Sequence, residues 1–83
     1  MNEVTDATLS TIAGTIERLL LEEREGIAGA SKSIGEEGFK ITIGVTLDRT
    51  TEGFIASYKV GYPLSPRPEP VQRQKIEKRE TIA

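Results

Sequence analysis

The chain has 83 residues, no cysteine, no histidine and a net charge of −2. That excludes disulfides and thiolate or imidazole metal ligation, and it removes the two side chains that most readily titrate or attack near neutral pH. Only carboxylate, lysine or tyrosine chemistry stays formally open, so the chain reads as a non-enzymatic protein without cofactor or metal.

Taken in chain order, the first element is an amphipathic helix over about residues 6–30, with Asp6 or Thr8 available as its cap. Leu9, Ile12, Ala13, Ile16, Leu19 and Leu20 recur at three- and four-residue spacing and share one stripe. Ile27, Ala30 and Ile34 extend it, but Gly26 and Gly29 each weaken a helix by about 1 kcal/mol relative to alanine. The helix is therefore predicted to end between Glu25 and Ser33. From Phe39 to Leu47 every odd position is apolar and every even one is not, the period-two signature of a half-buried strand. A second alternation over 54–62 puts Phe54, Ala56, Tyr58, Val60 and Tyr62 on one face and Lys59 on the other. Together the two runs predict an antiparallel hairpin. Residues 63–70 alternate prolines with other residues and favour extended geometry. The charged stretch 71–83 is either a short third strand around Val71–Ile76 or a tail that orders on a partner. The fold class is α+β in one small domain.

Charge is uneven: residues 1–38 hold eight acids and three bases, residues 39–62 two and three, and residues 63–83 three and five. Solvated faces account for such a gradient, and an acidic front that meets a basic partner is the sharper alternative. No run approaches the ~20 apolar residues of a membrane span, and no basic-then-apolar leader opens the chain. A cytoplasmic protein without a membrane partner is expected.

Several motifs fall to simpler explanations. Gly26 to Ser33 superficially resembles a phosphate-binding loop, but Ser31 stands where glycine belongs and the segment follows a helix. Glu22, Glu23, Glu25, Glu36 and Glu37 lack the spacing of a calcium loop. Pro63 and Pro66 have the spacing read by aromatic grooves, but such matches arise often by chance, and an extended linker that leads the chain off the sheet is the preferred reading. Phe54, Tyr58 and Tyr62 could stack bases but belong to the apolar side of their strand.

A chain of this size buries only about 60% of the surface its unfolded form exposes. Lacking disulfide or metal, it is left with oligomerisation as its support. One hairpin and one helix supply little core, so a homodimer is expected. The candidate self-association residues are Leu9, Ile12, Ile16, Leu19, Leu20 and Ile27. The candidate partner-binding residues are the cations Lys40, Lys59, Arg67, Arg73, Lys75, Lys78 and Arg79.

The order of elements, with Lys40-Ile41-Thr42-Ile43-Gly44-Val45-Thr46-Leu47, a polar turn, a second alternating run and Leu64-Ser65-Pro66-Arg67-Pro68-Glu69-Pro70-Val71, resembles a set of small phage and prophage proteins loosely labelled replication terminators. The likeness covers about residues 5–72. It departs after Val71, where an apolar closing strand gives way to the charged Gln72–Glu80. The resemblance implies a mobile-element origin and a protein that occupies a surface on a host complex, defence complexes included. The alternative is a nucleic-acid-binding accessory of phage replication that uses Lys40, Lys59, Arg73, Lys75, Lys78 and Arg79.

Overall fold

A computed structural model describes residues 3–34, 38–63 and 73–82, with backbone alone at 33, 34 and 73–75. The fold is α+β: helices α1 (Asp6–Glu22) and α2 (Arg24–Ile34) precede strands β1 (Thr42–Arg49), β2 (Phe54–Pro63) and β3 (Arg73–Ile82). The strands form one antiparallel sheet in the order β1-β2-β3. Of the proline-rich segment only Pro63, the last residue of β2, is described; residues 64–72, Arg67 among them, lie outside the described residues.

Thr5, rather than Asp6 or Thr8, caps α1. Its hydroxyl accepts from the Thr8 backbone N–H at 3.2 Å while the Thr8 hydroxyl accepts from the Thr5 N–H at 3.2 Å. This is a reciprocal capping box closed by threonine where glutamate or glutamine is usual.

The helix breaks at Glu23 but does not end there, continuing to Ile34. The Glu23 N–H is shared between the carbonyls of Leu19 and Leu20 at 3.2 Å, and Ile27 picks up the Glu23 carbonyl at 2.9 Å. Arg24 donates to the Leu21 carbonyl at 2.7 Å, satisfying an acceptor that the break frees. The sheet meets the helix at this break: the Tyr62 hydroxyl donates to Glu23 Oε1 at 2.9 Å, and a Cβ on Gly26 would overlap that hydroxyl. Gly26 is thus an opening for a buried tyrosine, whereas a Cβ on Gly29 would meet nothing within 4 Å. The two glycines should respond with opposite signs. Gly29→Ala is expected to stabilise by up to about 1 kcal/mol. Gly26→Ala should destabilise by about 1–2 kcal/mol, because overpacking outweighs the same propensity gain. Urea unfolding of both variants checks this, and Tyr62→Phe should reduce the penalty at 26.

β1 and β2 pair from Thr42↔Gly61 to Arg49↔Phe54 without a bulge. Their turn is fixed by Thr50 N–H to Gly53 O at 2.9 Å and Glu52 N–H to the Thr50 hydroxyl at 3.3 Å. β3 pairs with β2 from Phe54↔Ile82 to Pro63↔Arg73. The charged carboxy-terminal stretch is therefore a strand of ten residues, longer and later than the short one around Val71–Ile76.

The helices cover the face of β2 that bears Phe54, Ala56, Tyr58, Val60 and Tyr62, all buried. Leu19, Ala30 and Ile82 complete this core, with Ile12, Ile16, Leu20, Ile27, Phe39, Leu47 and Ile76 packed around it. The radius of gyration is 15.5 Å, against about 12 Å for a compact domain of this length. The core is a strip along β2 rather than a sphere.

Candidate interaction surfaces

Glu80 organises the helix-side face. Its carboxylate accepts from the Thr15 hydroxyl of α1 at 2.9 Å to either oxygen and from the Tyr58 hydroxyl at 2.7 Å. Arg18 donates to the Thr15 hydroxyl at 2.9 Å and stands 3.9 Å from Glu80 Oε2. Thr15 and Tyr58 are 0% and 1% exposed, so without this acceptor their hydroxyls would be buried donors with no outlet. No buried side-chain nitrogen or oxygen among the described residues lacks a partner.

The Tyr58 hydrogen bond, aided by Thr15 and by the charges of Arg18 and Lys78, holds Glu80 below the usual carboxylate range against the opposing pull of burial. Burial, then the bond to Glu80, pushes the Tyr58 hydroxyl up, and burial with the bond to Glu23 does the same at Tyr62. The signs define two limbs of stability. A carboxylate with a depressed folded pKa stabilises above its unfolded value, about 4.3, and loses that contribution as pH falls through the folded value. A tyrosine with a raised pKa stabilises below about 10 and loses its contribution as pH rises further. Urea midpoints from pH 2 to 11 should show both limbs. Glu80→Gln should flatten the acid one, and Tyr58→Phe with Tyr62→Phe the alkaline one.

This network also decides what stays open. Thr15 and Arg18 draw α1 over β2 toward β3, away from β1. Cross-strand partners share a face, so Ile43 (opposite Val60), Val45 (opposite Tyr58) and Leu47 (opposite Ala56) belong to the helix side. Yet Ile43 and Val45 remain 37% and 38% exposed. Leu9, Ile16 and Leu20 lie on the flank of α1 turned away from Arg18, the residue that reaches toward β3. Leu9 is exposed and the other two are half-buried. Ile43 and Val45 thus mark an incompletely covered apolar strip, or trough, on the β1 side of this face. Of the helix residues expected to mediate self-association, Leu9, Ile16 and Leu20 lie on the flank turned away from Arg18. Leu19 is buried against the sheet, and Ile12, Ile16, Leu20 and Ile27 all pack on the core. Sequence reasoning passed over Ile43 and Val45, because alternation marks a face without telling how far a helix covers it.

The helix-free face is polar. Gly44 and Gly61, on adjacent strands, leave a shallow depression of about 400 Å3 with Lys40, Thr42, Lys59 and Glu77 around it. Of the predicted cations, Lys40 and Lys59 line it. Lys59 and Arg79 lie on this face by register, with Glu77 directly opposite Lys59, while Lys78 is opposite Tyr58 on the helix side. Arg73 and Lys75 continue β3 in register with Pro63 and Gly61.

Among the described residues no group of three acids is arranged to hold a metal ion, and no helix is long and apolar enough to cross a membrane. The arrangement defines a helix-backed, three-stranded antiparallel sheet with one uncovered apolar edge. No family model, curated protein or solved structure matches the chain.

Proposed function

We propose that this chain is a non-enzymatic binding protein that works as a homodimer, acting stoichiometrically through protein–protein contacts. The resemblance to small phage proteins makes a host factor, including a defence factor, the expected target, to be inhibited by occupation of its surface. The observation that carries the reading is the trough: Ile43 and Val45 stand more than a third exposed on the same face as a completed core. Monomeric proteins seldom leave a contiguous apolar surface without a use for it. In addition, the buried hydroxyls on that face are already satisfied, those of Thr15 and Tyr58 by Glu80 and that of Tyr62 by Glu23.

Binding to nucleic acid has less support. Lys40, Lys59 and Arg79 share the helix-free face, but Glu77 stands directly opposite Lys59 and Lys78 is opposite Tyr58 on the other face, so the basic charge there is sparse and interrupted. Light scattering coupled to gel filtration at micromolar concentration tests the main reading. A mass twice that of one chain is expected, and a folded protein with the mass of a single chain overturns it.

A further inference from the structure

We propose that the second copy adds to β1 itself, antiparallel, about a two-fold axis at Gly44, so that two three-stranded sheets become one of six strands with both helix pairs on the same face. This rests on the self-association proposed above and specifies its register.

The two edges of the sheet differ in kind. β3 carries charges at six of its first eight positions, the usual guard against edge pairing. From Ile41 to Leu47 β1 has no charge and no proline, and its pairing with β2 has no bulge. Its edge is flat and unguarded.

Backbone geometry then limits the registers. The bond from Thr50 N–H to Gly53 O marks a hydrogen-bonded pair at the turn, and such pairs alternate along an antiparallel ladder. Even-numbered residues of β1 therefore bond to β2. The N–H and C=O groups of Ile43, Val45 and Leu47 point outward. A partner strand must match outward positions with outward positions, which permits two-folds at Ile43, Gly44 or Val45.

Charge selects among these. With the axis at Gly44, Ile43 faces Val45, Ile41 faces Leu47, Thr42 faces Thr46, and Lys40 faces Asp48, each twice. With the axis at Val45, Lys40 faces Thr50 and Ile41 faces Arg49. With it at Ile43, Lys40 faces Thr46. Lys40 and Asp48 are both exposed, and neither has an ion-pair partner among the described residues. Only the Gly44 register joins them while keeping the apolar residues from Ile41 to Leu47 against one another.

The glycine itself fits this place. A glycine inside a strand costs stability and often marks close approach of another backbone. Here it falls in a non-hydrogen-bonded pair, where the two Cα atoms come within about 4.5 Å. Three strand spacings would set the two β2 strands about 14 Å apart, wider than the 8–10 Å of directly packed helices. Leu9, Ile16 and Leu20 of both copies are the side chains available to fill that interval, over a floor of Ile43 and Val45.

The absence of native cysteine gives a clean test. Gly44→Cys should form a covalent dimer under mild oxidation, because that separation suits a disulfide and a Cβ at 44 meets nothing within 4 Å. Thr46→Cys should not, since like residues then stand four positions apart, about 13 Å. Lys40→Asp and Asp48→Lys should each weaken the dimer about tenfold by setting like charges opposite each other, and the double reversal should restore it. If wild type is dimeric but Thr46→Cys crosslinks as well as Gly44→Cys, or the double reversal fails to restore affinity, the register is wrong. If wild type is monomeric, the self-association reading fails first.

Discussion

Replacing Glu80 with alanine should unfold the protein about 3 kcal/mol more easily, the sum of leaving two buried hydroxyl donors unsatisfied. Thr15 and Tyr58 both direct their hydroxyls at this carboxylate, and neither has solvent to turn to. In a domain of this size that corresponds to a fall in melting temperature of roughly 12–24 °C, read at one fixed protein concentration because the proposed self-association would add its own stabilisation. Glu80→Gln keeps an acceptor and should cost only about 1 kcal/mol. A small effect of alanine, close to that of glutamine, would mean that the contact between α1 and the sheet is apolar in origin and that Glu80 merely accompanies it. The experiment thus also tests why the helix sits where it does, since Thr15 is the residue through which α1 reaches β3.

The same network explains which parts of the fold were legible in the sequence. The hairpin was, because β1 and β2 alternate cleanly and their apolar residues share a face. The third strand was not. On its helix side it presents Ile76, Lys78, Glu80 and Ile82, and a pattern with two charges at interior-facing positions reads as solvated chain. Glu80 belongs there only because Thr15, 65 positions away, and Tyr58 meet it. No local rule contains that information. Similarly, Gly26 reads as a helix breaker until Tyr62 is seen to occupy the space that it leaves. Packing of Ile27 and Ala30 then carries the helix past both glycines. The candidate site was half legible: the apolar helix stripe was visible, but its division into a buried part and a flank turned away from Arg18 depended on the polar tether to β3.

Val45→Lys should abolish dimerisation while leaving the folded chain nearly unchanged. In the monomer this position is 38% exposed, so a lysine there can run its stem along the trough and keep its ammonium in water. The melting temperature of the diluted monomer should move by only a few degrees, as for most exposed substitutions (about 0.5 kcal/mol). In a dimer that closes the trough, two ammonium groups would be buried without counter-ions, a cost of several kcal/mol, so dissociation should strengthen about 100-fold or more. Leu21→Lys, also on a half-exposed helix leucine but turned away from the sheet, should leave the dimer intact. Sedimentation velocity across a concentration series separates the two variants. A Val45→Lys protein that still dimerises like wild type would place the interface elsewhere and remove the trough from the mechanism, whatever strand register the crosslinking reports. If instead the Val45 variant is monomeric and folded, the proposed self-association runs through the β1 side of the sheet.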